Sequence, residues 1–158
     1  MIKSKILFPT LIIVSAFLLD RLSKIYILNL AENTENLNLS ITSFINIILV
    51  WNTGIGFGLF QIDDNTLYNV ITALILLINF VIIYILINSE KFQRILFSLI
   101  LGGSLGNLYD RIYYSAVPDY IDLNYNGYHW FVFNVADIFI SIGILMLILT
   151  EFLKKNEK

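Results

Sequence analysis

Two aspartates, Asp119 and Asp137, are the residues of this sequence whose type and surroundings best fit a chemical reaction. Asp119 lies in the segment VPDYID and Asp137 ends the segment FNVAD. Two carboxyl groups within hydrogen-bond reach cannot both ionise easily, so one keeps its proton and the other remains a base. Such a pair activates water for attack on a peptide carbonyl and later returns the proton to the leaving amine. Taken alone, an aspartate that follows a proline, as Asp119 follows Pro118, is also typical of an acidic residue in a turn without a catalytic role.

Further polar residues interrupt apolar runs, where an ionisable side chain is expensive and usually faces the interior of a helix bundle. Asp20 and Lys24 are four residues apart and share a helix face, which is typical of an internal ion pair. In the segment GNLYDR, Arg111 follows Asp110 directly and favours its ionised form, so we interpret Asp110 as structural. Asn107 precedes them on the same side of the helix.

A serine reaction is the main chemical alternative. Gly102, Gly103 and Ser104 form the G-x-S sequence used by intramembrane serine proteases, with His129 as the base. Ser104 would lie about 9 Å below Asp110 along a helix, whereas His129 precedes the last helix, so this pairing is disfavoured. Close packing of helices explains the glycines. A carboxylate metal site has no ligand spacing to support it, and we predict no metal and no cofactor.

The elements that must position these residues are membrane helices. The 158 residues are 58% hydrophobic and 14% charged, far from the composition of soluble domains. The absence of cysteine excludes a disulfide scaffold, a thiol protease and a Cys-zinc site, and the single histidine excludes a multi-His metal site. A net charge of −2 gives no electrostatic footprint for nucleic acid. The composition therefore predicts an integral membrane protein.

Four segments are candidates to cross the bilayer. A spanning helix needs about 20 apolar residues, and residues 65–89 provide an uninterrupted run. Three other runs are shorter, so each must extend through its charged residues. We predict four transmembrane helices at residues 6–28, 66–87, 92–112 and 130–153, within a single membrane domain that covers residues 1–158.

Lysines and arginines indicate the orientation. The connections at residues 31–64 and 113–129 contain none, whereas seven of the ten flank the other side of the four predicted helices, namely Lys3, Lys5, Lys91, Arg94, Lys154, Lys155 and Lys158. The positive-inside rule therefore predicts that both termini are cytoplasmic. Asp20, Asn107 and Asp137 then come to one depth just inside the outer leaflet. A cleaved signal peptide over residues 1–16 is the alternative, but it would leave an odd number of spans.

The two outer connections have different patterns. Residues 41–51 are rich in β-branched and aromatic side chains and predict a strand, with residues 59–62 as a second strand of a small sheet within residues 38–62. The glycines of NTGIGFG (residues 52–58) permit close approach of the backbone to a ligand. Asp64 or Asn65 is expected to cap the second helix. Residues 113–129 are rich in tyrosine and predict an amphipathic connection in the membrane interface.

Five short sequence blocks, taken in the order in which they occur along the chain, resemble those of the bacterial lipoprotein signal peptidases. These are the aspartic intramembrane enzymes also called type II signal peptidases. The resemblance covers nearly the whole chain. It implies an all-α polytopic membrane fold with four transmembrane helices, a small extracytoplasmic β-sheet and an extracytoplasmic amphipathic connection. The blocks are Asp20-x-x-x-Lys24, Asn52-x-Gly54, GNLYDR after a glycine pair, Asp119 in VPDYID, and FNVAD ending at Asp137.

The resemblance also implies roles for individual residues. Asp119 and Asp137 correspond to the catalytic dyad. Other positions match residues that line or support the site, namely Asn52, Gly54, Gly103, Asn107, Arg111, Asn134 and Ala136. A third group matches residues thought to stabilise it, namely Asp20, Lys24 and Asp110.

The implied substrate is a prolipoprotein with a diacylglyceryl-modified cysteine, cut immediately before that cysteine. The implied partners are this substrate and membrane lipid, and no nucleic acid is expected. The protein is expected to be a monomer in the bacterial cytoplasmic (inner) membrane, with its active site near the outer leaflet. The sequence departs from the family pattern at Pro118, Gly56 and Ile138. Pro118 matters most because it fixes φ and removes an N–H beside Asp119. A small ion- or proton-coupled transporter that uses membrane Asp and Asn residues is the rival interpretation, and a non-enzymatic assembly factor is a third.

Overall fold

The computed structural model describes residues 2–34, 36–54, 64–125 and 127–156, with side chains described for residues 6–154 of these ranges. Within them the chain forms four helices and four strands. In chain order the elements are α1 (Ile2–Glu32), β1 (Asn38–Ser40), β2 (Ile45–Asn52), α2 (Asn65–Asn88), α3 (Lys91–Tyr114), β3 (Val117–Tyr125), β4 (Tyr128–Phe133) and α4 (Val135–Asn156).

The helix α3 lies at the centre of the bundle. It packs against α1, α2 and α4, whereas α1 and α2 hardly touch each other. Two glycines of α3 permit the closest approaches. A Cβ on Gly103 would lie 2.5 Å from the carbonyl oxygen of Ala136 in α4, and one on Gly106 would lie 2.5 Å from the carboxylate of Asp20 in α1. The glycines therefore serve helix packing, as the sequence predicts.

Three of the four described helices are long and apolar enough to cross a membrane, within Ile6–Glu32, Asn65–Asn88 and Val135–Lys154. The central helix α3 has 24 residues and is about 36 Å long. Its polar residues Asp110 and Arg111 are buried against the surrounding elements. The protein is therefore a multi-pass helical membrane protein whose central helix carries buried polar residues.

A four-stranded antiparallel sheet in the order β1-β2-β3-β4 covers one end of the bundle. Its central pair joins β2 and β3, which α2 and α3 separate in the chain, with Ile45 opposite Leu123 and Asn52 opposite Val117. A bulge in the pairing between Ile47 and Val50 shifts the register. The sheet therefore brings both long connections into one layer.

Two predictions about this layer are wrong. Residues 113–129 are not an amphipathic connection, because most of them form β3 and the start of β4. The fourth helix begins at Val135 rather than at residue 130, since Trp130 to Phe133 belong to β4. A short apolar run at a helix start is ambiguous by periodicity alone. Here pairing with β3 decides in favour of a strand.

The predicted strand at residues 41–51 is confirmed in position but begins later, at Ile45. Thr42 forms the preceding turn, because its Oγ1 accepts hydrogen bonds from the backbone N–H of Phe44 and Ile45. The cap of α2 is also confirmed, with Asp64 Oδ1 accepting from Leu67 N at 2.8 Å. The strand predicted at residues 59–62 lies outside the described residues.

The connection from α3 to β3 is short. Ser115 follows the helix in the left-handed conformation, with φ of 56°, and β3 begins two residues later. Pro118 pairs with Trp51 of β2, and pairing with β4 begins only at Ile121. A proline cannot donate to a ladder, so it fits a stretch of strand with one neighbour. The short connection and the start of β3 thereby place Asp119 over the end of the bundle.

Candidate active site

Asp119 and Asp137 are brought together at the end of the bundle that the sheet covers. Both are buried, Asp119 in β3 and Asp137 in the first turn of α4. Asn134 contacts both carboxyl groups, since its Nδ2 donates to Asp119 Oδ1 at 2.6 Å and its backbone N–H donates to Asp137 Oδ2 at 3.1 Å. A single residue therefore holds the two acids beside each other.

The start of α4 explains how the segment FNVAD positions Asp137. Asn134 precedes the first helical residue, and its Oδ1 accepts from the backbone N–H of Asp137 at 3.2 Å. The carboxylate of Asp137 accepts from the backbone N–H of Asn134 in return. This reciprocal pair is a capping box with Asn and Asp in the two positions. The same contacts that begin the helix fix the acid.

The last residue of β2 holds the other oxygen of Asp119. Asn52 Nδ2 donates to Asp119 Oδ2 at 2.8 Å, and Asn52 Oδ1 accepts from Gly54 N at 2.8 Å. The turn at Gly54 therefore sets which end of the amide faces the acid. Arg111 holds this turn, because its Nη2 donates to the carbonyl oxygen of Gly54. The guanidinium of Arg111 also lies 5.4 Å from the centre of the Tyr68 ring.

A second amide contacts Asp137 from α3. Asn107 Nδ2 donates to Asp137 Oδ1 at 2.8 Å, and its Oδ1 accepts from Lys24 Nζ at 2.8 Å. A lysine only donates, so it fixes the orientation of the amide with the NH₂ group toward the acid. Each carboxyl oxygen of the two acids thus has an amide or backbone donor.

A fully buried cluster of charges lies beside this site. Lys24 Nζ is 2.9 Å from the carboxylate of Asp20 and 2.6 Å from Asp110 Oδ2. Arg21 Nη2 is 2.5 Å from Asp110 Oδ1, and its guanidinium lies 4.8 Å from the centre of the Tyr109 ring. The expected ion pair of Asp20 and Lys24 is confirmed. The expectation that Arg111 is the cation of Asp110 is wrong, because Arg111 turns toward Gly54, but the expected structural cluster of Asp110 with Lys24 is confirmed.

Two contacts of this cluster were not predictable from spacing alone. Arg21 was visible only as an interruption of the first apolar run, next to Asp20. Asp20 Oδ1 also accepts from the backbone N–H of Ala136 at 3.0 Å. The carboxylate therefore lies at the amino end of α4, where the helix dipole favours a negative charge. Ala136 contributes a backbone donor from a fully buried position.

The surroundings of Asp119 favour its protonated form. Burial and, to a smaller extent, the nearby carboxyl of Asp137 raise the pKa of Asp119, whereas hydrogen bonds from Asn52 and Asn134 lower it, and the net result is a pKa of about 7. In the described ranges no lysine, arginine or histidine forms an ion pair with Asp119 or Asp137. Buried acids without a cation keep protons more readily than paired ones.

The remaining predicted residues fall elsewhere. His129 Nδ1 lies 2.8 Å from Asp122 Oδ2 on the sheet, and Ser104 belongs to the middle of α3, so the serine pairing is not formed between these two described side chains. Asp122 is fully buried, and this burial was not predicted from its position in the chain. Gly103 contacts α4, and Gly56 lies outside the described residues. No group of three metal-ligating side chains occurs in the part of the chain that is described.

The fold and this cluster of acids define the class as a helical membrane protein with a buried polar site under a small sheet. Comparison with known proteins supports that class. A solved bacterial membrane enzyme superposes with a TM-score of 0.80 at 28% identity, covering 97% of this chain and 92% of that one. A second solved bacterial membrane enzyme gives a TM-score of 0.73, also at 28% identity, with 92% of each chain covered.

Sequence comparison identifies the family. The model of the family described as signal peptidase (SPase) II matches residues 12–153. A lipoprotein signal peptidase of Pelagibacter ubique is 54% identical over 147 residues, covering 93% of this chain and 89% of that protein. A lipoprotein signal peptidase of Aquifex aeolicus is 40% identical, covering 91% and 85%. The chain belongs to the signal peptidase II family and is a protease.

Proposed function

We propose that this protease removes the signal peptide from diacylglyceryl-modified prolipoproteins and cuts immediately before the lipidated cysteine. The similar proteins named lipoprotein signal peptidase support this substrate class. We further propose that Asp119 and Asp137 are the catalytic residues. The contact of Asn134 with both carboxyl groups carries this assignment, because a single residue that donates to both acids places them in one site.

The proposed reaction uses one proton held between the two acids. The ionised carboxylate takes a proton from water as the water oxygen attacks the peptide carbonyl, and the protonated partner donates to the carbonyl oxygen. Collapse of the tetrahedral intermediate breaks the C–N bond, and a proton passes to the leaving amine. A pKa of about 7 at Asp119 suits this role, since a general acid works best near the ambient pH.

The remaining site residues act on the geometry of the acids. Asn52, Asn107 and Asn134 donate hydrogen bonds to them, and Gly54 and Arg111 hold the turn behind Asn52. The charge cluster of Asp20, Lys24 and Asp110 orients Asn107 and the start of α4, through the backbone N–H of Ala136. Gly103 lets α3 approach α4 closely beneath the site.

We propose that all four helices cross the bacterial cytoplasmic membrane as one domain, with both termini in the cytoplasm and the site near the outer leaflet. The placement of lysine and arginine supports this orientation, because the sheet and its connections carry none over residues 31–64 and 113–129. The diacylglyceryl group would then keep the substrate cysteine at the depth of the two acids. The enzyme is proposed to act as a monomer.

Cleavage assays on two variants test the assignment. Purified full-length Asp119→Asn and Asp137→Asn proteins are expected to cut a diacylglyceryl-modified precursor about 10³-fold more slowly than the wild type, because each removes one member of the acid–base pair. Asp122→Asn is the matched control. Its carboxyl is equally buried but pairs with His129, so its rate is expected to stay near that of the wild type.

Normal processing by either Asp119→Asn or Asp137→Asn would contradict the catalytic assignment. Loss of cleavage in Ser104→Ala alone would favour the serine reaction. Cleavage of an unmodified precursor as fast as the lipidated one would refute the proposed substrate class while leaving the two acids in place.

A further inference from the structure

Two adjoining cavities open between α1 and the turn from α2 to α3, at the end of the bundle opposite the two acids. Their volumes are about 790 and 500 Å³, within the usual range of about 300–1,000 Å³ for ligand pockets. Pro9 and Arg94 line both. The cavities thus form one cleft, which we call the α1–α2 cleft, with a mouth near Arg94 and an interior between the helices.

The mouth of the α1–α2 cleft is basic. Lys91 and Arg94 are three residues apart on one face of α3, and both line the mouth. Arg94 is fixed there, because its Nε donates to Leu86 O at 3.2 Å and its Nη2 donates to Ser89 O at 2.6 Å. Glu90 also lines the mouth, but Lys154 Nζ lies 3.0 Å from its carboxylate. The mouth therefore keeps a positive charge.

The interior is aliphatic, with Ile13, Ile83, Leu86 and Leu101 among its walls. The cleft exists because α1 and α2 hardly touch each other while both pack on α3. In a bilayer, walls of this kind are solvated by acyl chains. A basic mouth above an apolar gap between membrane helices has the chemistry that recognises anionic lipid headgroups.

We propose that the α1–α2 cleft binds one anionic phospholipid, with an acyl chain between α1 and α2 and the phosphate at Lys91 and Arg94. A substrate signal segment fits less well, because it begins with a positively charged region that Lys91 and Arg94 would repel. The bound lipid would close the gap between α1 and α2. Since it binds the folded protein, it would also raise stability.

Lipid retention by full-length protein from nanodiscs of equal phosphatidylglycerol and phosphatidylcholine tests this site, with native mass spectrometry as the readout. The wild type is expected to retain phosphatidylglycerol preferentially. Lys91→Gln is expected to lower that retention about five-fold, the effect of one basic residue near an anionic lipid. Thr10→Trp adds no charge but fills the cleft that Thr10 lines, and it is expected to lower retention as well.

Two matched controls separate the site from general effects. Glu90→Gln removes a neighbouring negative charge and is expected to retain as much phosphatidylglycerol as the wild type, or more. Leu18→Trp introduces the same indole side chain at an exposed position of α1 and is expected to leave retention unchanged. The proposal is overturned by equal retention of both lipids, by unchanged retention in Lys91→Gln and Thr10→Trp, or by a second copy of the chain in place of lipid.

Discussion

The protein holds two pairs of buried aspartates a short distance apart, and their neighbours differ. Asp20 and Asp110 contact the cations of Lys24 and Arg21 at 2.5 to 3.3 Å. Asp119 and Asp137 contact side-chain amides and backbone N–H groups instead. The first pair belongs to an ion cluster, whereas the second is held by neutral donors.

This difference distinguishes the acids with a structural role from the two acids that are proposed to be catalytic. A cation beside a buried acid offsets the cost of burying its charge, so the pair serves as a structural contact. An amide donor positions an acid while leaving its proton exchangeable. Asn107 connects the two regions, because it accepts from Lys24 and donates to Asp137. The ion cluster thus contacts the amide of Asn107, and this amide contacts the proposed catalytic pair.

The largest expected effect is a loss of stability in variants that break the ion cluster. Lys24→Met would leave Asp20 and Asp110 buried with less compensation, and removal of one partner of a buried pair costs about 3–5 kcal/mol. We therefore expect a large fall in the unfolding temperature of the detergent-solubilised protein. The double variant Lys24→Met with Asp110→Asn should recover part of the loss, because it also removes one uncompensated charge. Wild-type stability in Lys24→Met would contradict a structural role for the cluster.

A smaller effect, on the rate of cleavage, is expected when the side-chain amide of Asn107 between the ion cluster and Asp137 is removed. Asn107→Ala removes the donor to Asp137 and should slow precursor cleavage about 10- to 100-fold, the value of a hydrogen bond to a charged group. Asn124→Ala is the matched control, because that amide lies 3.5 Å from Asp122 outside the proposed site. Equal rates in the two variants would show that Asn107 does not position the acid.

The sequence was most informative where the signal is local. The uninterrupted apolar run predicted α2 to within a residue at each end, since hydropathy over about 20 residues is decided by the helix itself. The cap at Asp64 and the pair of Asp20 with Lys24 also depend only on neighbours along the chain. The family pattern indicated Asp119 and Asp137 by type and order, and the structure brings them together.

The sequence was less informative where partners are distant in the chain. The strands β3 and β4 depend on pairing with β2, which no local pattern of residues 113–133 reveals. Arg21 lies next to Asp20 in the chain, but its contact with Asp110 depends on how α1 packs against α3. The double contact of Asn134 likewise needs β3 to return over the start of α4.

An infrared titration of the protonated carboxyl band tests most directly whether Asp119 and Asp137 hold one proton between them. In the wild type, the part of the band that Asp119→Asn removes should disappear with a midpoint near pH 7, because burial and Asp137 raise the pKa of Asp119 to about 7. Cleavage should fall as the pH rises through the same midpoint, since the shared proton is lost. Asp137→Asn should move the midpoint to lower pH. An Asp119 carboxyl already ionised at about pH 5, or a midpoint that Asp137→Asn leaves unchanged, would contradict the shared proton.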